Sequence, residues 1–362
     1  MRILLLTTLV LSGLVLAGCS GGSDDGDDPV VPQGLPAQLA ANLAPAPTWD
    51  AEAGLGWWAD FATGHTLRMS YTPMEEQARA QIVTDMSALG FEVTDITYGA
   101  CAPLVGGPAL GCLPVGASVA SLHVVQALKR GSTDPDHAIA LGAHYDNVLP
   151  GVAAAGGTVG TLEAAYDNGS GTAMVYNTCK QLAQLPLNRS LLCLFFGGEE
   201  EGAQGSSLYV ASPPAGAPTV DLYLGYDMVG INWPGPKWKL YNWVDAEHAA
   251  DLHPFVNATV TQVLGWPAEG AEVFPFNDRN SDEASFISAH IPTVRFAGGR
   301  SAGDYPQYHD LDDTVAFVDS YVGGRDNFAL GFGAILEESV LLVRLVDQTD
   351  LPAIAAWSAT QA

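Results

Sequence analysis

Residues 137–146 read HAIALGAHYD, a mostly apolar run that ends in His144 and Asp146. The part over 137–143 is short and aliphatic, which predicts a buried strand that ends at His144. A histidine and a carboxylate directly after a buried strand lie at one edge of a sheet. Other strands that end in polar residues would bring those residues to the same edge.

Two further apolar runs end in acidic residues. The run 190–196 is followed after two glycines by Glu199 and Glu200, and the run 220–225 is followed two residues later by Asp227. Strands that alternate with helices predict an α/β fold with a mixed, mostly parallel, twisted β-sheet and helices on both faces. Ligands bind outside the carboxyl ends of the strands in such sheets. The predicted elements are a helical entry segment at 37–64, helices at 73–89 (Thr72 as cap, Gly90 as stop), 171–185 and 205–211, and strands at 91–98, 117–129, 137–143, 190–196, 220–225 and 291–296.

The composition is that of an acidic globular protein. The 362 residues include 40 acidic and 14 basic side chains, for a formal net charge of −26, and 48% of the residues are hydrophobic. A field of this sign repels the phosphate backbone, so nucleic acid is excluded as a partner. The sequence contains no internal repeat, no transmembrane helix pattern and no phosphate-binding glycine fingerprint.

The N-terminus has the pattern of a bacterial lipoprotein signal. A short apolar run over residues 3–16 leads into Leu-Ala-Gly-Cys, which resembles a lipobox whose Cys19 is acylated after cleavage. Residues 1–19 are then a signal peptide, 20–36 a flexible linker and 37–362 a single domain. The protein is expected in the cell envelope and touches membrane only through the lipid; an ordinary secretory signal is the alternative.

Four cysteines remain in the mature chain: Cys101, Cys112, Cys179 and Cys193. An even number in an exported protein suggests two disulfides, although four cysteines allow three pairings. The local pairs Cys101–Cys112 and Cys179–Cys193 are our expectation. A cysteine zinc site is disfavoured because no two of these residues have the CxxC spacing.

Each polar residue near the predicted strand ends has an ordinary structural explanation by itself, such as a helix cap or a solvated acidic turn. Together they are harder to explain that way, because several carboxylates in one cleft repel each other unless a cation compensates them. Histidine and carboxylate ligands suit zinc, and more ligands than one tetrahedral ion needs indicate two ions. The six candidate residues are His144, Asp167, Glu199, Glu200, Asp227 and His309.

The sequence resembles the M28 family of zinc aminopeptidases over roughly residues 73–315. Five short motifs carry this resemblance, in the order of the family. They are GAHYD at 142–146, DNGSG at 167–171, EEEGAQGS at 199–206, Asp227-Met228, and Tyr308-His309.

The resemblance implies two zinc ions and five protein ligands in a phosphorylase/hydrolase-like zinc peptidase fold. Asp167 would bridge the two ions. His144 and Asp227 would complete one site, and Glu200 and His309 would complete the other.

The resemblance also implies roles for three carboxylates that do not bind metal. Glu199 would be the general base that accepts a proton from the attacking water and passes it to the leaving amine. Asp146 would accept a hydrogen bond from the non-ligating nitrogen of His144 and fix its tautomer. Asp313 matches a family aspartate beyond the last ligand and is expected to play a supporting role.

The sequence departs from the family pattern near residue 280. Ser-Asp-Glu at 281–283 stands where many relatives have Ser-Asp-His, and its ordinary reading is a helix start. Some relatives carry an oxyanion-stabilising tyrosine just before this motif, but 276–280 reads FNDRN. Arg279 or Asn280 is therefore our candidate for a substrate or oxyanion contact.

The expected activity is removal of N-terminal residues from peptides. Three alternatives stay open: a carboxypeptidase of the same fold, a single-zinc acyltransferase like the glutaminyl cyclases, and a non-catalytic binding module. The walls of the specificity pocket are expected to come from loops at 241–250 and 298–307, which carry no readable code for a side chain.

Overall fold

The computed structural model describes residues 34–99, 121–148, 162–231, 240–266, 271–276, 280–299 and 302–361. The signal peptide with its Cys19, the expected pair Cys101 and Cys112, and Arg279 lie outside the described residues. Helix α1 begins at Leu35, within the last two residues of the predicted linker.

The described strands form one mixed sheet in the order β1-β2-β4-β3-β5-β8-β6-β7. Its four central strands, β4, β3, β5 and β8, are parallel, and antiparallel pairings join them to the flanking strands. This confirms the predicted mixed sheet. The strands are β1 (Glu92–Gly99), β2 (Ser121–Lys129), β3 (Asp134–His144), β4 (Arg189–Phe196), β5 (Thr219–Tyr226), β6 (Leu240–Asp245), β7 (Ala271–Phe276) and β8 (Thr293–Phe296).

Helices cover both faces of the sheet, as predicted. Along β4, Leu191, Cys193 and Phe195 belong to a large core on one face, while Leu192 and Leu194 belong to a smaller core on the other. This alternation makes β4 buried throughout, which explains its unbroken apolar sequence. The helices are α1 (Leu35–Ala40), α2 (Ala51–Gly64), α3 (Pro73–Ala88), α4 (Gly169–Leu182), α5 (Gln204–Ala211), α6 (Ala249–Ala258), α7 (Glu283–Ser288), α8 (Val315–Val322), α9 (Arg325–Asp347) and α10 (Leu351–Ser358).

The predicted cap and stop of helix α3 are confirmed. The hydroxyl of Thr72 accepts a hydrogen bond from the Glu75 N–H at 3.3 Å at the start of α3, and Gly90 follows the helix with a φ of 85°. Only glycine adopts that conformation without strain, which is why the helix stops there. No helix of the described ranges has the length and apolar content needed to cross a bilayer.

The prediction of a loop at 241–250 was wrong. This stretch contains most of β6 and the start of α6. Asn242, in the middle of β6, is fully buried and donates to Glu338 of α9 at 2.6 Å. The partner that satisfies this buried amide lies 96 residues away, so no local pattern marks the segment as a buried strand.

The expected disulfide between Cys179 and Cys193 is confirmed. It has an S–S distance of 2.03 Å and joins α4 to β4 inside the larger core.

Candidate active site

The candidate residues converge at the carboxyl ends of the central strands. His144 is the last residue of β3, Glu199 and Glu200 follow β4, and Asp227 follows β5. Asp167 precedes α4 and comes to the same edge through the loop before that helix. Together with His309 they line a cavity of about 530 Å³.

Asp167 stands between two groups of side chains. Its Oδ1 lies 3.6 Å from Nε2 of His144, while its Oδ2 lies 3.3 Å from Nε2 of His309. Asp227 Oδ1 is 3.7 Å from the first histidine, and Glu200 Oε2 is 3.3 Å from the second. The atoms of each group lie within 4.8 Å of one another, close enough to hold a metal ion. The two groups share Asp167, one oxygen each.

Glu199 lies beside these groups. Its Oε2 is 3.8 Å from Nε2 of His144, and it forms a third possible group with His144 and Glu200. Distance alone therefore does not separate Glu199 from the other carboxylates.

The donor atoms fit a metal cluster. Glu200 Oε1 and Asp227 Oδ1 are buried and have no hydrogen-bond partner among the described residues. A buried carboxylate oxygen without a partner costs free energy that a cation would offset. Imidazole nitrogen with carboxylate oxygen is a ligand set that zinc accepts.

Burial raises the pKa of Glu200 well above its ordinary value, and the charges of Asp167 and Glu199 raise it further. Burial also raises the pKa of Glu199 well above its ordinary value, and Asp282 adds to this effect. Burial by itself would lower the pKa of the His144 imidazole. The negative charges of Glu199, Asp146 and Asp227 outweigh burial and raise the pKa of His144 well above its ordinary value. Four carboxylates line the cavity, and a cation held among them would offset their mutual repulsion.

Asp146 contacts His144 differently from what was expected. Nδ1 of His144 lies 3.3 Å from the Asp146 carbonyl oxygen and 3.6 Å from its carboxylate. The carboxylate accepts hydrogen bonds from Ser70 Oγ at 2.7 Å and from the backbone N–H groups of Glu199 at 3.2 Å and Glu200 at 3.4 Å. Asp146 therefore orients the backbone that carries the two glutamates as well as the histidine ring.

Asp313 supports Asp167 in the same manner. Its carboxylate accepts hydrogen bonds from the backbone N–H of Asp167 at 2.9 Å, the N–H of Tyr166 at 3.0 Å and the hydroxyl of Tyr305 at 3.1 Å. Burial raises the pKa of Asp313 to about 7. The expected supporting role thus takes the form of a buried carboxylate that fixes the backbone at Asp167.

Two residues that line the cavity, Tyr308 and Arg295, were given no role from the sequence. Tyr308 lines the cavity and its ring stacks on His309 with 3.7 Å between centroids. Arg295 of β8 lies 3.5 Å from Asp227 and 3.1 Å from Glu283. From the sequence, Tyr308 was quoted only as part of the Tyr308-His309 motif, and no local signal identifies a role for Arg295. Asn280 also lines the cavity.

Fold and site together define an α/β protein with a cluster of histidines and carboxylates of metal-binding type at the carboxyl edge of a mixed sheet. The model of peptidase family M28 matches residues 123–324, more than half of the chain. The chain belongs to this family.

Curated relatives share moderate identity over part of their length. Aminopeptidase Y of Saccharomyces cerevisiae is 27% identical over 202 residues, which are 54% of this chain and 34% of that protein. A probable lipoprotein aminopeptidase of Mycobacterium tuberculosis is 28% identical over 226 residues, 54% of this chain and 41% of that protein. The chain thus spans only about a third to two fifths of the length of these relatives.

Solved structures share the fold. A zinc aminopeptidase from Bacillus subtilis superposes with a TM-score of 0.61 at 15% identity and covers 82% of this chain and 95% of its own. A glutaminyl cyclase from Porphyromonas gingivalis superposes with a TM-score of 0.60 at 15% identity and covers 80% and 97%. One fold therefore serves proteins named for two different reactions.

Proposed function

We propose that this protein is a zinc-dependent aminopeptidase that removes N-terminal residues from peptides. The observation that carries the proposal is the position of Asp167, whose two carboxylate oxygens face two separate histidines. We propose two zinc ions with Asp167 between them. His144 and Asp227 would hold one ion, and Glu200 and His309 would hold the other.

Bound zinc would polarise the scissile carbonyl and increase the acidity of water in the cavity. Glu199 then acts as the general base: its carboxylate accepts a proton from the attacking water and delivers that proton to the leaving amine. For this role Glu199 needs a carboxylate oxygen that does not bind metal. Asp146 supports the step by holding the backbone N–H groups of Glu199 and Glu200.

Charge in the cavity favours an N-terminal substrate group. Four carboxylates line it, and Arg295, a basic residue of the described lining, contacts Asp227 and Glu283. Two bound zinc ions would offset most of this charge, and Glu199, the carboxylate that we assign to neither ion, is left to attract a substrate ammonium group. The terminal carboxylate of a carboxypeptidase substrate would have to compete for Arg295 with the two acids that it already contacts.

We propose Tyr308 as a donor to the oxyanion. Its hydroxyl has a pKa raised by burial and by the nearby carboxylates, so it keeps its proton at neutral pH. Loss of one oxyanion donor costs about 10²–10³-fold in kcat. If Tyr308 is the donor, Tyr308→Phe should lose this factor in kcat while its zinc content stays unchanged. If Asn280 is the donor, the loss should appear in Asn280→Ala instead.

Metal analysis combined with hydrolysis of aminoacyl anilides, with and without chelator, tests the proposal. About two zinc ions per chain and chelator-sensitive release of the aniline are expected. One zinc ion with cyclisation of N-terminal glutamine would assign the chain to the cyclases instead. A chain without metal or turnover would be a binding module.

We further propose that Cys19 carries the lipid that anchors the protein in the bacterial envelope, facing the periplasm or outside. The lipobox-like sequence and the similarity to a probable lipoprotein aminopeptidase support this. Labelled palmitate should appear on the wild type and be absent from Cys19→Ala. An unlabelled wild type would leave only a secretory signal.

A further inference from the structure

A second cavity adjoins the candidate active site. Its volume is about 540 Å³, close to that of the first cavity, and the two share Glu199 and Asn280 in their linings. Both cavities are therefore lined by the residue to which we assign proton transfer. Glu199 has the only charged side chain among the described residues that line this second cavity.

The walls of the second cavity come mainly from α5 and α7, and almost all of their facing residues are small. Ser285 Oγ of α7 lies 2.9 Å from Ser206 Oγ and 3.0 Å from Ser207 Oγ of α5, which joins the two helices at the base. We call this cavity the small-residue groove. The lining residues from this pair of helices and their ends are Gly202, Ala203, Ser207, Val210, Ala211, Ser281, Ala284, Ser285, Ser288 and Ala289.

The small-residue groove leads from Glu199 to solvent. Both helices begin close to the site, since α5 follows the Glu199–Glu200 turn and α7 follows Asn280. At their far ends Ala211 and Ser288 are exposed. Helices of 8 and 6 residues are about 9–12 Å long, at a rise of about 1.5 Å per residue. An extended peptide covers this distance with about three residues.

We infer that the small-residue groove binds the leaving part of the peptide substrate over about three residues. This rests on the proposed function, in which the scissile C–N bond breaks and Glu199 delivers a proton to the departing nitrogen. That nitrogen must lie beside Glu199, which lines both cavities. The N-terminal residue occupies the first cavity, and the rest of the chain continues into the second.

The chemistry of the groove favours backbone recognition over side-chain selection. The Ser288 hydroxyl already donates to the Ala284 carbonyl, but its oxygen can still accept a hydrogen bond from a peptide N–H, and alanine and glycine leave room for the main chain to approach. Apart from Glu199, the described lining carries no charge that would choose one side chain over another. The expected substrates are oligopeptides of four or more residues with little restriction after the first.

A length series tests the proposal. With one N-terminal residue throughout, kcat/KM should rise at least tenfold from dipeptide to tetrapeptide and then level off. The corresponding aminoacyl anilide reports on the first cavity. If the anilide is not cleaved at all, the proposed function itself fails; if it is cleaved but peptide length has no effect, only the groove assignment fails.

Ser288→Trp tests the location of the groove. An indole at this exposed end should lower kcat/KM for the tetrapeptide at least tenfold and leave the anilide within twofold. Ser87→Trp is the matched control, because Ser87 is also exposed in the last turn of a helix and bonds to the carbonyl four residues back, as Ser288 does. Equal losses on both substrates would overturn the assignment.

Ser288→Cys supplies a second route if the tryptophan variant does not fold. Reaction of this thiol with a bulky maleimide should lower tetrapeptide turnover selectively, and a slowly hydrolysed tetrapeptide analogue should protect the thiol from reaction. Full tetrapeptide turnover by the labelled enzyme would overturn the proposal.

Discussion

The two edges of the central parallel strands carry the same kinds of charged residues, but these residues serve different purposes at each edge. At the carboxyl edge, Asp167, Glu200 and Asp227 surround two histidines, and two of their oxygens have no hydrogen-bond partner in the described structure. At the opposite edge, Arg189 at the start of β4 contacts Asp221 of β5 at 3.0 Å, and His137 contacts the same carboxylate at 2.8 Å.

The opposite edge is satisfied by the chain itself. The carboxylate of Asp347, at the end of α9, accepts the N–H of Asn188 at 2.9 Å and the N–H of Arg189 at 2.8 Å. A carboxylate that receives its donors from the protein has no need of an external cation. Both edges carry acidic residues, and what separates the candidate metal site from the opposite edge is two buried carboxylate oxygens without a hydrogen-bond partner in the described ranges, beside two histidines.

Asp167→Asn gives the largest effect expected. One proposed ion loses its Asp167 oxygen and the other keeps only a neutral amide oxygen, so activity on an aminoacyl anilide should fall by more than about 100-fold, since even outer partners of metal ligands are worth 10–100-fold. Zinc content should fall with it. Asp221→Asn, at the opposite edge, is the control and should retain both zinc and activity. Equal zinc in the two variants would remove the distinction between the edges.

Glu199→Gln should separate the base from the ligands. We expect kcat to fall by about 10²–10⁴-fold, the contribution of a general base, while zinc content stays that of the wild type. Metal analysis and steady-state kinetics on the same samples check this. Zinc loss as large as that of Asp167→Asn would make Glu199 a ligand, as its distance from His144 also permits.

Asp347→Asn should reduce stability and not catalysis. It weakens hydrogen bonds from two backbone N–H groups to a buried charged acceptor, which costs about 1–3 kcal/mol in the free energy of unfolding. Urea denaturation measures this, with Asp136→Asn as a control at an exposed carboxylate near the same edge. A stability unchanged from wild type would show that Asp347 is not a support of that edge.

Glu338 is a buried carboxyl group of helix α9 that belongs to neither edge. Its Oε1 accepts Asn242 Nδ2 at 2.6 Å, and burial raises its pKa to about 8 from an ordinary value of 4.5. Between these two pKa values the folded protein keeps a proton on Glu338 that the unfolded chain has released. The contribution of Glu338 to the free energy of unfolding is therefore largest below about pH 4.5 and declines as the pH rises toward 8. Above pH 8 the loss is complete.

The Glu338→Gln variant has a neutral amide in place of the carboxyl group, so this side chain does not titrate. The difference in unfolding free energy between variant and wild type should therefore grow in favour of the variant from pH 5 to pH 8, by at most about 1.4 kcal/mol per pH unit. Urea titrations at several pH values measure it. A difference independent of pH would mean that Glu338 is ionised in the folded state.

Much of the fold was predictable because its strongest signals are local. Strands buried on both faces, such as β3 and β4, show as unbroken apolar runs, and Thr72 and Gly90 mark the ends of α3 through bonds and torsion angles of nearby residues. Strand β6 was missed for the converse reason. Its Asn242 is acceptable in a core only because Glu338 is there to meet it.

The sequence by itself determined the kind of site: residues of metal-binding type follow consecutive buried strands, and parallel strands bring their carboxyl ends to one edge. Only the tertiary structure shows how those residues are arranged around the cavity. It directed one oxygen of Asp167 to each histidine, set Asp146 and Asp313 beneath the backbone of the glutamates and of Asp167, and brought Tyr308 to the cavity. The physical reason is range, because these contacts join residues far apart in the chain, and hydrogen bonds and ion pairs act only over a few ångströms.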